Sequence, residues 1–327
     1  MTMHVLITGG AGYVGSQVTA HLLAEGFTVS VYDRLLYGGE ALLAFRNHHR
    51  FRLIRGDVRD GEAMHAAVAG NDAIIHLAAI VGEDACNVDR AASWSTNVEG
   101  TSTVLRAASQ QGVQRLIFAS TCSNYGVAAP GELATEAAKL NPLSEYARAK
   151  VECEQLLLAS NDLACPAVLR LGTICGLSAR MRFDLLVSEV ARNAAQGVPI
   201  DIFAPDAWRP FLHVKDAARI FRVMLEAPAD RIAHQVFNVV GENIQKRGLV
   251  DISRRLFPNS PVKITDKKPD LRDYRVDGTL VTRELGFRPE FTVESAFRET
   301  AAAVESGLFR DPDWKGHSAV PLDGKID

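Results

Sequence analysis

Short apolar runs alternate along the chain with longer amphipathic stretches, the pattern of parallel strands joined by crossover helices. The runs HVLIT (4–8), TVSVYD (28–33), FRLIRGD (51–57), AIIHLAA (73–79), RLIFAST (115–121) and AVLRLG (167–172) predict six strands. Helical spacing between them predicts helices at 16–25, 61–69, 91–111 and 145–160, and VFNVVG (236–241) reads as a late additional strand. After Gly176 the alternation weakens. MRFDLLVSEVARNAAQG (181–197) has helical spacing, and RPFLHVKDAARIFRVMLEA (209–227) is a short extended piece running into a helix. The stretch 243–310 carries another helix, a turn-rich DKKPDLRDYRVDG and a final helix near 292–306.

This order predicts an α/β chain in two units. Residues 1–176 plus 213–241 form a doubly wound parallel sheet, and 177–212 plus 242–310 form a smaller, C-terminal substrate-binding domain. Residues 311–327, rich in Pro, Gly and charge, read as an irregular tail.

Composition narrows the class. With 327 residues, 47% of them hydrophobic and 23% charged, the chain can build a sizeable core. A formal net charge of −3 gives no reason to expect nucleic acid or an anionic membrane as partner. No apolar run approaches the ~20 residues of a spanning helix, and no secretion signal opens the chain. The five cysteines, Cys86, Cys122, Cys153, Cys165 and Cys175, never pair at C-x-x-C spacing. Reduced thiols in a cytoplasm are therefore expected, with no metal site and no disulfide framework.

The first chemistry lies in ITGGAGYVGSQV (7–18), where Gly9, Gly12 and Gly15 recur every third residue between a strand and a helix. Gly9 allows a tight turn, Gly12 lets the backbone approach a pyrophosphate, and Gly15 permits close packing of helix on strand. The helix N-terminus adds unpaired N–H groups and the positive end of its dipole. About 20 residues later Asp33 ends the second strand, placed to accept hydrogen bonds from both adenosine ribose hydroxyls. A carboxylate there repels a 2′-phosphate, so NAD is favoured over NADP. Arg34 beside it works in the opposite direction. The fold expected is a Rossmann-type dinucleotide domain.

The second lies after the fifth strand, where STCSNYG (120–126) meets the ligand crevice of an open α/β sheet. In YARAK, Tyr146 and Lys150 stand four apart, on one helix face. A phenol with a pKa of about 10 is a poor base at neutral pH. An ammonium one turn away and a cationic nicotinamide ring are expected to lower that value. Thr121 is placed to hydrogen-bond the same substrate hydroxyl.

From Ile7 to about residue 305 the chain resembles the extended short-chain dehydrogenases/reductases of the nucleotide-sugar epimerase/dehydratase family. The matching residues are TGGAGYVG, Asp57 in GDV, HLAA at 76–79, Asn97 in TNVEGT, Thr121, Tyr146, Lys150 and RPFLHVKD. The resemblance implies that Gly9, Gly12, Tyr13, Val14, Asp33, Asp57, Val58, Ala78 and Ala79 line the cofactor. It implies that Lys150 holds the nicotinamide ribose beside Tyr146, with Thr121, Tyr146 and Lys150 catalytic. Asn97 is expected to support the catalytic helix. The family grips the nucleotide diphosphate with arginines, and Arg209 and Arg272 match those positions, with Arg180 and Arg182 as further candidates. His213, Trp208 and Phe211 are expected to be structural.

Sugar 4,6-dehydratases of this family follow the loop threonine with Asp and Glu. Here Cys122 and Ser123 stand there, which argues against that elimination. The epimerase-reductases place a cysteine two residues after the hydroxyl residue, whereas Cys122 follows directly and is expected to be a buried apolar group. Three readings remain: an NAD-dependent nucleotide-sugar 4-epimerase, a one-way reductase or dehydrogenase of a sugar nucleotide, and a non-catalytic dinucleotide-binding protein. The family also implies a homodimer, with a four-helix contact through Val104, Ala107, Val151 and Leu158.

Overall fold

The apolar runs become strands because helices cover both of their faces. The structure, a computed structural model, describes residues 2–127, 131–265, 272–313 and 315–320. In chain order come β1 (His4–Thr8), α1 (Tyr13–Ala24), β2 (Thr28–Asp33), β3 (Phe51–Arg55), α2 (Gly61–Val68), β4 (Ala73–His76), α3 (Glu83–Val88), α4 (Arg90–Trp94), α5 (Gly100–Gln110), β5 (Arg115–Thr121), β6 (Leu133–Ala134), α6 (Glu145–Leu158) and β7 (Cys165–Leu171). Then follow β8 (Thr173–Cys175), α7 (Leu186–Gln196), β9 (Ile200–Phe203), β10 (Trp208–His213), α8 (Val214–Glu226), α9 (Ala229–Ile232), β11 (Val236–Val239), β12 (Glu242–Gln245), α10 (Lys246–Leu256), β13 (Val262–Thr265), β14 (Arg275–Val276), α11 (Thr279–Leu285) and α12 (Val293–Glu305).

Seven parallel strands form the main sheet in the order β11-β7-β5-β4-β1-β2-β3, a Rossmann-type arrangement. Alternate residues of one strand serve different layers: Val5 and Ile7 pack with Val18, Leu22, Phe221 and Met224 of α1 and α8. Leu6 points the other way, into Met64, Val104 and Leu157 of α2, α5 and α6. Each such fully buried aliphatic side chain contributes about 1.5–3 kcal/mol. Strand order reverses between β1 and β4, which opens a crevice at their C-terminal ends.

Elements α7, β9, β10, α10 and α12 gather around a second core of Val187, Val190, Ile200, Phe211, Leu249 and Phe297, with α7 against α12. The small sheets β12-β10-β8 and β13-β9 serve it, while β14-β6 packs with Cys122, Tyr125 and Tyr274. At the seam, Glu299 of α12 accepts from the Leu177 N–H (2.7 Å) and Lys215 Nζ (2.6 Å) and lies 3.0 Å from His213 Nε2. His213 is thus buried between β10, α8 and α12, against Phe291.

Three expectations need correction. The single helix expected over 91–111 is interrupted by a π-helical segment, Ser95–Glu99. The wider turn carries buried Asn97, whose side chain pairs with both backbone groups of Ile80 (2.7 and 3.0 Å) and so holds the loop after β4. Val104 and Ala107, drawn as an outward stripe, are 0% and 2% exposed because that face of α5 packs on the sheet. They are unavailable to any contact between copies; Val151 and Leu158 are half-buried. Residues 316–320 of the supposedly irregular tail dock against the loop before α7, while 321–327 lie outside the described residues.

Burial alone would raise the pKa of Glu299, yet hydrogen bonds from His213, Lys215 and the Leu177 N–H outweigh it and hold the carboxyl at about 2. An acid depressed in the folded state adds stability above its unfolded pKa and loses it as pH falls through its folded one. Glu299→Gln is expected to cost about 2–3 kcal/mol at pH 7. That cost should shrink between about pH 4.5 and 2, as read from urea unfolding of both proteins across pH.

Candidate active site

The crevice at the strand reversal widens into a cavity of about 830 Å³ running from the glycine turn to Phe203 and Arg272. Gly9 has φ +75°, and a Cβ there would sit 2.7 Å from the Ala78 nitrogen. At Gly15 a Cβ would meet the Gly9 carbonyl, so this glycine spares the turn itself rather than only the helix–strand packing. Gly12 is the N-cap of α1 without a side-chain cap, and the first turn carries no acid. The leading N–H groups of α1 therefore face the cavity with no internal helical partner and no competing negative charge.

Asp33, at the end of β2, braces that turn: its Oδ2 accepts from the Ala11 N–H (3.0 Å) and its Oδ1 from the Leu35 N–H (2.8 Å). Burial raises its pKa against these bonds and the Arg34 charge. Asp57 is chelated by Arg59 (3.0 and 2.8 Å), with Arg34 at 3.6 Å. Tyr13, Val14, Val58, Ala78 and Ala79 also line the cavity, and the Tyr13 hydroxyl donates to the Gly176 carbonyl. Underneath, His76 joins Thr8 Oγ1 (2.6 Å) to Thr101 Oγ1 (3.0 Å), and Thr101 donates onward to the Asn97 carbonyl. That chain requires the imidazole proton on Nε2, and burial keeps the ring neutral, with its pKa down at about 3.

Thr121, Tyr146 and Lys150 share the cavity wall. Thr121 Oγ1 accepts from the Ser123 N–H (3.1 Å), which leaves its own O–H to donate. Lys150 is buried; its Nζ donates to the Ala119 carbonyl (2.7 Å) and lies 4.4 Å from the Phe118 ring and 5.9 Å from the Tyr146 ring. Lys150 does not by itself lower the phenol pKa. Burial pushes Tyr146 upward, and the charge acting against it is Arg182. Lys150 is itself drawn down to about 8 by burial and is spent on the Ala119 carbonyl.

Cys122 is outside the cavity, its Sγ donating to the Arg170 carbonyl (3.2 Å), and burial raises its pKa strongly. Beneath this loop, Glu154 accepts from Ser120, from Asn124 (2.8 Å) and from Arg170 (2.7 Å).

Among the described residues Arg34, Arg180, Arg182 and Arg272 line the cavity, and Arg182 is paired in two places with Asp184 (3.1 and 2.6 Å). Arg209 does not line it. Its guanidinium lies buried, donating to the carbonyls of Trp208 and Arg272, so it shapes the Arg272 segment from behind. Phe203 was missed: Ile200 and Ile202 of β9 point into the core while Phe203 faces the cavity, 39% exposed, with Lys246 Nζ 3.5 Å from its ring. An aromatic on the outward phase of a two-residue alternation was the available signal. Phe211 is core, and Trp208 stacks with Arg275 (5.1 Å).

Residues 5–240 match the model of the NAD dependent epimerase/dehydratase family. The chain is 32% identical over 314 residues to a dTDP-glucose 4,6-dehydratase of Streptomyces griseus, covering 92% of this chain and 94% of that one. It is similar to the crystal structure of DesIV, a dTDP-glucose 4,6-dehydratase from Streptomyces venezuelae with NAD bound (28% identity, TM-score 0.83, 97% and 100% covered). It is also similar to a UDP-glucose 4-epimerase of Thermus thermophilus in complex with NAD (27% identity, TM-score 0.80, 92% and 99% covered).

The Lys150 amine is expected to titrate near 8 rather than at its ordinary 10.5. Carbon-13 methylation of lysines followed by NMR titration should show one such resonance, absent from Lys150→Met. Because the unfolded chain binds that proton more readily, its titration makes stability rise with pH from about 8 to 10.5.

Proposed function

Because the chain belongs to the NAD dependent epimerase/dehydratase family, and so is an NAD-dependent enzyme acting on nucleotide sugars, we propose that it inverts a hydroxyl-bearing sugar carbon, C4, through a transient 4-keto sugar. The observation that carries this reading is the Thr121 loop. It presents Thr121 and Ser123 to the cavity and buries Cys122, so no carboxyl group stands where an elimination of water needs one. Among the described residues the acids lining the cavity are Asp33, Asp57, Glu83 and Asp84, none of them on that loop.

The residues present fit NAD: a glycine turn closed by backbone contact, an uncapped helix start and an acid at the end of β2. Gly9, Gly12, Tyr13 and Val14 would hold the pyrophosphate, Asp33 the adenosine ribose, Asp57 and Val58 the adenine edge, and Ala78, Ala79 and Lys150 the nicotinamide end. When bound, NAD supplies a reversible hydride acceptor. Tyr146 Oη takes the proton of the sugar hydroxyl and returns it. Thr121 donates to the same oxygen and fixes its direction. Arg182 supplies positive charge toward a phenol that burial otherwise keeps protonated, and Lys150 is held beside it by the Ala119 carbonyl. Arg182 and Arg272 are assigned to the substrate diphosphate, and Phe203 offers an apolar face to its base.

Tyr146→Phe should lower turnover by about 10²–10⁴-fold, the usual cost of losing a general acid/base. NADH affinity, read by fluorescence titration, should change little. A variant keeping more than a tenth of wild-type turnover would show that another group moves the proton.

Incubation with UDP- and dTDP-hexoses should form the C4 epimer with no net change in added cofactor. Stoichiometric consumption of NADH or NAD would establish the one-way reductase or dehydrogenase instead. A 4-keto-6-deoxy product would establish a dehydratase that works without the usual carboxyl pair.

A further inference from the structure

Beyond α12, residues 316–320 return to the cavity, where Ala319 lines the wall. The His317 carbonyl accepts from the Phe183 N–H (2.9 Å), and its ring lies edge-on to Phe183 and Phe309, with centroids 5.4 Å from each. The Ser318 carbonyl accepts from Arg180 Nη2 (2.5 Å). The Ala319 peptide is then held from both sides. Its carbonyl accepts from Tyr37 Oη (2.6 Å), and its N–H donates to Asp184 Oδ2 (3.2 Å), the oxygen that also takes Arg182 Nη2.

These anchors come from opposite banks. Tyr37 belongs to the loop that follows Asp33 and β2, whereas Arg180, Phe183 and Asp184 belong to the segment between β8 and α7. Ala319 is 7% exposed and lines the cavity. It shares an apolar cluster with Ile80, Ala85, Cys86 and Ala92, on which Leu36, Val320 and Tyr146 also pack. The segment therefore forms part of the wall beside the proton-transferring phenol. It is held by a few hydrogen bonds and one buried methyl rather than by a core of its own, which places it among the parts of a fold that open most readily.

We propose that Ser318–Val320 is a component of the dinucleotide site, a strap across its mouth that must lift before the cofactor leaves. The inference rests on the reading that NAD occupies this cavity and deepens it. The strap makes release slow relative to turnover, as an enzyme that returns its hydride to the same substrate requires. Asp184 couples the strap to charge in the site, because one carboxylate oxygen serves both Arg182 and the Ala319 N–H.

The test is NADH dissociation, followed by stopped-flow fluorescence on displacement with excess NAD. Wild type is compared with Tyr37→Phe and with a chain ending at Asp313, and thermal melts report folding. Loss of one hydrogen bond to the strap should speed release about fivefold, and removal of the strap should speed it further. Should the shortened chain fail to fold, Tyr37→Phe decides alone. Release within twofold of wild type in the folded variants would overturn the strap, whereas wild type that binds no NADH would overturn the dinucleotide reading itself.

Discussion

The buried pair of Glu154 and Arg170 is the interaction on which the geometry of the site depends. Their side chains are 3% and 6% exposed, and four structural elements meet at them. Glu154 stands one helical turn beyond Lys150 on α6; Arg170 lies on β7. Ser120 and Asn124 bring in the loop that carries Thr121, while Tyr125 bonds both Arg170 (2.9 Å) and Asn238 of β11 (2.7 Å). A buried ion pair adds little net stability against an apolar substitute, yet removing one partner strands the other charge at a cost of about 3–5 kcal/mol. The pair is better understood as a constraint on register. It holds α6 and the Thr121 loop to the same two strands, so that their side chains meet on one cavity wall.

Above this hub the site disfavours charge of either sign. Burial raises Tyr146 and lowers Lys150, so each tends toward its neutral form. Among the described residues Arg34, Arg180, Arg182 and Arg272 stand along the cavity with the acids Asp33, Asp57, Glu83 and Asp84; Asp33 is engaged by backbone N–H groups and Asp57 by Arg59. The expectation that Lys150 and a nicotinamide ring lower the Tyr146 pKa left out the cost of taking phenol and amine out of water.

Much of this was legible in the chain because it is local. Strand ends at Thr8, Asp33 and Thr121 follow from runs of alternating or continuous apolar residues. The glycine turn declares itself by spacing, and Tyr146 with Lys150 by one helical turn. The misreadings share a cause. Val104 and Ala107 have an apolar helical spacing whichever way the helix faces. Arg209 sits in a motif but is turned behind the Arg272 segment. The helix over 91–111 is broken where Asn97 reaches Ile80 across a separate loop. Phe203 gave only the weak sign of an aromatic on the polar phase of a short strand.

What the sequence determined by itself, then, was the order of elements, the glycine turn and the one-turn spacing of Tyr146 and Lys150, since each is set by contacts within a few residues. The tertiary structure decided which face of α5 is covered, which arginines reach the cavity, how burial moves the proton affinities of Tyr146 and Lys150, and that Ala319 docks on the cavity wall. Those outcomes depend on which distant segments exclude water from a side chain. The Ala319 peptide meets Tyr37 and Asp184 only once the strands beneath them are paired.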